Sequence, residues 1–268
     1  MDGGWNPTGC SRLVLLLFLN VHIGQVLITH AGSPVTVLGT DCTQISKINP
    51  GATSGLHTIK PEGIKKDFKV YCEMRLDGCW TVFQRRTGGA VSFQRNWAAY
   101  KAGFGKREAD HWLGLWKLWA ITKGEKWVLR VELCDFEGGT VYAEYRGFNV
   151  GSVKDNFKLS VGDYSGTAGD GIHGTLRESS QNSYGFTTKD RDHDGCTPCI
   201  ADDIATDNCS LEKGKGGWWY SNCGSASLNG EWHPAGKNPG GGSGLHWHRW
   251  KGTSPYSYRA TRMMIKPL

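Results

Sequence analysis

Several short stretches of the chain are rich in β-branched and aromatic residues, as strands are. The clearest are residues 68–72, 80–84 and 127–133, and the last of these alternates apolar and polar positions over its second half. Residues 96–103 and 110–118 lie between them and are predicted to form short helices. From about Gly162 onward Gly, Asn and Asp become frequent, so regular structure is expected to become sparse. The pattern predicts one α+β domain with a loop-built C-terminal third.

The composition is that of a folded, loop-rich protein. Hydrophobic residues make up 38% and charged residues 21% of the 268 residues, which excludes a disordered chain. The 38 glycines follow no three-residue period, which excludes collagen. The 12 tryptophans are expected to hold irregular segments in place, because each ring buries a large area at little entropic cost.

The net charge of +6 is mild for this length, and the basic residues are scattered along the chain. Their nearest approach to a patch is Lys60, Lys65, Lys66 and Lys69. We interpret these lysines as a solvated basic face rather than a heparin or nucleic-acid site. No nucleic-acid-binding motif is found in the sequence.

The N-terminal residues have the order of a secretory signal peptide. Arg12 precedes an apolar run over residues 13–19, and the small residue Ala31 follows. We predict a signal peptide over residues 1–31, with an earlier cleavage near Gly24 as the alternative, and a short segment over residues 32–40. No later segment is long and apolar enough to cross a membrane. The mature protein is therefore expected in the extracellular space.

The cysteine count agrees with an oxidising compartment. Cys10 falls within the predicted signal peptide and leaves an even number of cysteines, which favours a disulfide framework. These eight are Cys42, Cys72, Cys79, Cys134, Cys196, Cys199, Cys209 and Cys223. If all of them pair internally, no thiol remains to link copies, and the protein is a monomer or a non-covalent oligomer.

The most chemically specific stretch is an acidic loop at residues 190–195. Asp190, Asp192 and Asp194 alternate and are followed by Gly195, an arrangement that can wrap a hard cation in oxygen ligands. The stretch is similar to the start of an EF-hand loop, but Ala201 stands where the closing Glu is required. The sequence predicts a Ca²⁺ site completed by backbone carbonyls, with a solvated acidic turn as the alternative.

A C-x-x-C segment follows the acidic loop. Cys196 and Cys199 could form a redox motif, a zinc site together with His246 and His248, or a structural disulfide. We favour the structural disulfide. No nucleophile elbow, metalloprotease motif or phosphate-binding loop is found. The sequence therefore predicts a binding protein rather than an enzyme.

A set of ordered motifs runs along residues 41–267. The motifs are Asp41-Cys42, SGLHTIKP at residues 54–61, VYCEM at 70–74, WTVFQRR at 80–86, WAAYKAGFG at 97–105, WLGL at 112–115, GWWY at 217–220, LNG at 228–230 and ATRMMIKP at 260–267. Together they resemble the fibrinogen C-terminal domain family. The Met-Met-Ile-Lys-Pro ending and the cysteine-bearing insertion after the acidic loop are most similar to the angiopoietin-like branch of that family.

The resemblance implies an α+β fold in three parts. These are a small N-terminal subdomain, a central mixed, mainly antiparallel sheet with short helices, and a loop-rich calcium-binding C-terminal subdomain. It also implies the bridges Cys42–Cys72 and Cys209–Cys223. Cys79 begins one predicted strand and Cys134 ends another, so we propose that they are joined. By elimination, Cys196 and Cys199 then form a tight local bridge.

The resemblance further implies which residues hold calcium. The carboxylates carried over from the family are Asp192 and Asp194, and the backbone oxygens of Cys196 and Pro198 follow by spacing. Asp190 then supports these ligands or caps the turn.

In lectins of the family, such as ficolins, an N-acetyl group sits in an aromatic pocket beside a C-terminal cysteine. The corresponding positions here are Cys223, Gly224 and Tyr256, and several of the aromatic residues are replaced. We therefore expect an angiopoietin-like extracellular protein that binds a receptor or matrix protein. The alternative is a calcium-dependent innate-immune lectin of ficolin type that recognises N-acetylated glycans.

Overall fold

A computed structural model describes residues 38–124, 126–201, 204–212, 214–234, 236, 243–251 and 256–268. The predicted signal peptide over residues 1–31 and most of the 32–40 segment lie outside these residues. The described strands are β1 (Gly55–Ile59), β2 (Phe68–Arg75), β3 (Gly78–Arg86), β4 (Phe104–Gly105), β5 (His111–Trp112), β6 (Trp127–Cys134), β7 (Thr140–Val150), β8 (Leu159–Ser160), β9 (Tyr164–Gly166), β10 (Cys199–Ala201), β11 (Ile204–Thr206), β12 (Ala226–Ser227), β13 (His246–Trp247) and β14 (Ala260–Pro267).

Ten of these strands form one sheet. Its order is β1-β2-β3-β14-β6-β7-β8, while β5 pairs with β3 and β4, and β9 pairs with β7. All pairings between the described strands are antiparallel. The strand that comes last in sequence, β14, occupies the middle of the sheet between β3 and β6. Two separate two-stranded sheets, β10-β11 and β12-β13, accompany it.

Four short helices accompany the sheet: α1 (Cys42–Ile48), α2 (Trp97–Ala102), α3 (Leu115–Thr122) and α4 (Cys209–Glu212). Two of them begin where a side chain accepts hydrogen bonds from otherwise unpaired amides. The Asp41 carboxylate caps α1, and the Asn96 side chain caps α2. The predicted helix over residues 96–103 is confirmed. The one predicted over 110–118 is wrong at its start, because residues 111–112 pair with β3 and the helix begins at Leu115.

The junction of α2 and α3 depends on two glycines. Gly103 ends α2 with φ +95, and a Cβ there would lie 2.2 Å from the carbonyl oxygen of Leu113. Gly114 precedes α3 with φ +114, and its Cβ would lie 2.7 Å from the carbonyl oxygen of Ala102. Both positions need glycine for its backbone freedom and for the close approach.

The main core joins the sheet to the C-terminal loops. Phe83 of β3 packs edge-on against Trp112, and Trp112 contacts Trp219 with ring centroids 6.0 Å apart. Phe186 packs edge-on against Trp219 at 5.0 Å and also contacts Tyr100 of α2. All five rings are buried. The loop-built C-terminal region is therefore packed on the sheet and does not form a separate layer.

The structure contains the bridges Cys42–Cys72, Cys196–Cys199 and Cys209–Cys223. The expected Cys79–Cys134 bridge is wrong, because Cys79 is a free thiol and Cys134 is disulfide-bonded, but not to Cys79. The sheet explains the error, since β14 separates β3 from β6.

The register places the two cysteines at opposite ends of these strands. Thr81 faces Ile265, so Cys79 falls level with Pro267, whereas Cys134 pairs with Ala260. Seven residues of strand correspond to about 23 Å. Bridged Cα atoms lie within about 7 Å of each other.

The sequence predicted three central strands correctly, since residues 68–72, 80–84 and 127–133 lie within β2, β3 and β6. The α+β class with short helices is confirmed. Within the described parts of the chain, no helix has the length and apolar character needed to cross a membrane.

Candidate functional site

The acidic loop is docked onto the segment that carries the buried tryptophans. Thr187 and Trp218 form an isolated β-bridge, and the amide of Gly195 donates to the Ser221 carbonyl at 2.9 Å. Between these two anchors, His193 turns inward, and its ring lies 5.2 Å from that of Trp97. These contacts fix the backbone of the acidic loop against the rest of the domain, and the fixed backbone positions Asp190, Asp192 and Asp194.

Asp190 is engaged in holding the loop. Its Oδ1 accepts a hydrogen bond from the Trp97 amide at 2.9 Å and one from the Thr188 hydroxyl at 2.8 Å. Burial would raise the pKa of Asp190, but these bonds stabilise the carboxylate and lower it. Asp190 thus ties the acidic loop to the start of α2.

Asp192 and Asp194 form a close pair of carboxylates. The amide of Asp194 donates to Asp192 Oδ1 at 3.1 Å. Asp194 Oδ1 accepts from the Cys196 amide and its Oδ2 from the Cys209 amide, each at 2.8 Å. Burial raises the pKa of Asp194 to about 6; the two amides oppose this rise and the neighbouring Asp192 adds to it. Among the described residues, no basic side chain forms an ion pair with either carboxylate.

The acidic loop offers oxygen atoms of the kind that Ca²⁺ prefers as ligands. Asp192 and Asp194 contribute two carboxylates. The carbonyl oxygens of Cys196 and Pro198 accept no hydrogen bond from the described residues, which leaves them available. The insertion over residues 197–207 contains the paired strands β10 and β11, which begin directly after Pro198.

Two disulfides pack against each other beside the loop. The Sγ atoms of Cys196 and Cys209 are 3.5 Å apart, and that of Cys223 is 3.9 Å from Cys196. Among the described residues, these three are the only group of potential metal ligands that comes together. Each of the three sulfurs is already in a disulfide, so none is a thiolate available to zinc.

The predicted sugar-binding positions Cys223 and Gly224 lie beside Gln181. Both have left-handed backbone, with φ +57 and +68. A Cβ on Gly224 would lie 2.2 Å from Gln181 Nε2, which donates to the Ala226 carbonyl at 2.6 Å. A side chain at residue 224 would therefore displace a buried amide that holds β12.

The third predicted position, Tyr256, has a different set of neighbours. Its hydroxyl accepts from the Phe136 amide at 2.9 Å and donates to Glu137 Oε2 at 2.8 Å. Lys251 lies over the ring at 5.1 Å. Tyr256 is thus bonded to the residues that follow β6, whereas Cys223 and Gly224 lie against Gln181.

Sequence reasoning missed a network of buried charges on the face of the sheet that carries Trp80 and Met264. Arg262 of β14 bonds to both Glu73 of β2 and Glu132 of β6, and all three are buried. Arg85 of β3 donates to Glu73 at 3.1 Å. The signal in the sequence was the polar residues at alternate positions of strands that are otherwise apolar.

The network continues toward the far edge of the sheet. Glu132 also accepts from Arg75 at 2.6 Å and from Arg130 at 2.8 Å, and Arg130 reaches Glu144 of β7 at 2.6 Å. Burial alone would raise the pKa of Glu132, but Arg262, Arg75 and Arg130 together lower it to about 2. Five adjacent strands are linked by these pairs.

Comparison with known proteins agrees with this architecture. Residues 38–268 match the family of the fibrinogen beta and gamma chains, C-terminal globular domain. Human angiopoietin-1 is 41% identical over 218 residues, 80% of this chain and 40% of the relative. Human angiopoietin-4 is 41% identical over 259 residues, 94% of this chain and 48% of the relative. The chain therefore spans less than half the length of these curated relatives.

Solved structures show the same fold. The fibrinogen-like globe domain of human ANGPTL2 superposes with a TM-score of 0.76 and 37% identity, covering 85% of this chain and 99% of the other. Lamprey fibrin D-dimer in complex with the peptide Gly-His-Arg-Pro-amide gives a TM-score of 0.78 and 29% identity, covering 91% and 78%. The chain belongs to the fibrinogen C-terminal globular domain family.

Proposed function

We propose that this chain is an extracellular recognition protein of angiopoietin-like type. It binds a receptor or matrix protein through C-terminal loops that Ca²⁺ stabilises, and it is secreted behind the signal peptide of residues 1–31. The observation that carries the proposal is the Asp192–Asp194 pair, held by backbone amides at the junction of two disulfides.

The electrostatics of this pair support a cation. Asp194 is partly buried next to Asp192, and its raised pKa shows that the charged form is disfavoured. A divalent cation removes this penalty, because it neutralises both carboxylates and orders the turn that holds them. The loops from Gly195 to Cys223 then present a fixed surface, which reduces the entropy that binding must overcome.

The relatives support recognition of a protein. Angiopoietins are among the curated relatives, and the lamprey fibrin structure is a complex with a short peptide, so a protein of this fold accepts a peptide ligand. In this chain the predicted N-acetyl pocket has Gly224 against Gln181 and Tyr256 bonded elsewhere. These contacts favour a protein partner over a glycan.

Calcium binding is tested by the double change Asp192→Asn and Asp194→Asn. At a calcium concentration one hundred times the dissociation constant, binding stabilises the folded state by about 2.7 kcal/mol. The parent protein should therefore melt at a higher temperature in calcium than in EGTA, and the double variant should show no such rise. Differential scanning calorimetry measures both.

The matched control is Asp67→Asn with Asp163→Asn, which removes two exposed carboxylates elsewhere. It should keep the full calcium response. An equal response in the parent and the Asp192/Asp194 variant would contradict the calcium site.

Partner class is tested separately. The parent and the double variant are used to capture proteins from extracellular fluid in calcium, and a protein retained only by the parent supports the proposal. Calcium-dependent retention on an N-acetylated resin, with elution by free N-acetyl sugar, would instead support the lectin.

A further inference from the structure

A basic surface forms where the loop between β1 and β2 meets α3. Residues 60–69 and 101–126 together hold ten basic and five acidic residues, so these two segments carry most of the net charge of +6. From the sequence alone, we interpreted the lysines of residues 60–69 as a solvated face. In the folded chain, the basic residues of the second segment, 101–126, lie next to them.

Two contacts join the segments. Lys123, immediately after α3, places its Nζ 3.1 Å from where a Cβ on Gly63 would lie. Lys117 of α3 lies over the ring of Phe68, 6.0 Å from its centroid. The exposed Lys65 and Lys66 lie two and three residues beyond Gly63 and so belong to the same surface.

These cations lack carboxylate ion pairs in the described part of the chain, although Lys117 Nζ donates to the Ala102 carbonyl at 2.5 Å and Glu108 acts electrostatically on Arg107. None of the described basic residues in the two segments forms an ion pair with a described carboxylate. Burial and repulsion from Arg107 both lower the pKa of Lys117, which shows two cations close together. By contrast, Arg75, Arg130 and Arg262 on the sheet each have a glutamate partner.

Aromatic rings lie among these cations. Trp116, Trp119 and Lys123 are at positions i, i+3 and i+7, so they follow one side of the helix and its continuation. Trp116 is 37% exposed, and Lys123 lies over the Trp119 ring at 5.4 Å. The surface therefore offers a ring face to the apolar side of a ligand beside ammonium groups for its anionic side.

We propose that the surface of Lys65, Lys66, Arg107, Trp116, Lys117 and Lys123 binds a sulfated polysaccharide. Closely spaced sulfates match unpaired cations on two adjoining segments, and a pyranose ring stacks on the exposed indole. The choice of a glycan rests on the proposed extracellular setting. The site does not include the acidic loop, so its failure can be separated from failure of the calcium proposal.

The test uses the full chain and immobilised heparin. Lys65, Lys66 and Lys123 are changed together to Gln, and Lys154, Lys158 and Arg177, which are exposed on other elements, are changed to Gln as the control. The first variant should bind heparin roughly tenfold more weakly or worse, and its plot of log affinity against log salt should be shallower by about three. The control should bind like the parent.

Two further variants make the test specific. Trp116→Ala should weaken binding severalfold and leave the salt slope unchanged, because the indole contributes no charge. Asp192→Asn with Asp194→Asn should bind heparin like the parent. Melting temperatures verify that each variant is folded.

Three outcomes would overturn the inference. One is equal weakening by the two triple variants, which would show only diffuse charge attraction. Another is unchanged binding to fully desulfated heparin, and the third is equally tight binding of a single-stranded DNA of matched charge through the same lysines. Loss of heparin binding in the lysine triple alone, with weak binding of desulfated heparin and DNA, supports it.

Discussion

Carboxylates are buried or partly buried in two regions of this molecule, and their pKa values shift in opposite directions. On the sheet, Glu132 lies among Arg75, Arg130 and Arg262, and its pKa falls to about 2. In the acidic loop, Asp194 lies beside Asp192 and is stabilised only by amides, and its pKa rises to about 6. The sheet supplies its own counter-charges, whereas no basic side chain in the described part of the chain forms an ion pair with Asp192 or Asp194.

This difference separates charges that stabilise the fold from charges that we propose to bind a cation. A buried ion pair contributes little net stability, but it strongly penalises the loss of one partner. A pair of carboxylates without a counter-charge lowers the free energy of unfolding, and a bound cation would remove that loss. Charge balance among neighbours therefore distinguishes the structural acids of the sheet from the candidate ligands of the loop.

The largest effect is expected from breaking the sheet network with Arg262→Met. Met retains much of the side-chain volume but leaves Glu73 and Glu132 without their shared buried cation. We expect a loss of about 3–5 kcal/mol in the free energy of unfolding. Urea denaturation measures it.

The control for this change is Lys266→Met on the same strand. Lys266 is half-exposed and donates to the Asp77 carbonyl, so the loss should be about 1 kcal/mol or less. Similar losses in the two variants would show that the network does not depend on Arg262.

An intermediate effect is expected from pH. Between pH 3.8 and about 6 the folded protein keeps a proton on Asp194 that the unfolded chain releases, so stability should fall as pH rises through this window. Partial solvent exposure limits the fall to about 1–2 kcal/mol. Glu132 acts in the opposite sense, because its stabilisation is present above pH 4.5 and is lost as pH falls toward 2.

The measurement compares urea denaturation of the parent and Asp194→Asn in EGTA from pH 4 to 7. The difference between them should change with pH, because Asn does not titrate. Parallel profiles would contradict the assignment, and added calcium at pH 7 should remove the penalty in the parent.

The smallest effect is expected from Asp190→Asn. The amide oxygen of Asn can still accept both hydrogen bonds, from the Trp97 amide and the Thr188 hydroxyl, because both go to Oδ1. Only the charge that strengthens them is lost, so the loss should be about 1 kcal/mol. The calcium-induced rise in melting temperature should persist. Loss of that rise would make Asp190 a ligand rather than an anchor of the loop.

The sequence predicted the local elements better than the pairing between them. The strands at residues 68–72, 80–84 and 127–133 have strong β-forming composition, and each is confirmed. Residues 111–112 were included in the helix predicted over 110–118, but they pair with β3 instead, because tertiary pairing overrides local preference. The Cys79–Cys134 error has the same origin, since strand ends are visible locally and sheet order is not.

The candidate sites show the same limit. The spacing of the acidic loop predicted a Ca²⁺ site, and the family resemblance assigned it to Asp192 and Asp194. The bond between Asp194 and the Cys209 amide, however, joins residues 15 positions apart. Likewise, Lys123 meets the loop at Gly63 only in the folded chain. Chemistry within one short segment was predictable, and chemistry shared between segments required the fold.

The position of β14 has a consequence for the synthesis of the protein. Until residues 260–267 leave the ribosome, β3 and β6 lack the strand that lies between them, and Glu73 and Glu132 lack Arg262. The two halves of the sheet must therefore remain soluble while most of the chain is made. The sheet can therefore be completed only after β14 has been translated, and until then the edges of β3 and β6 that face β14 stay open to other chains.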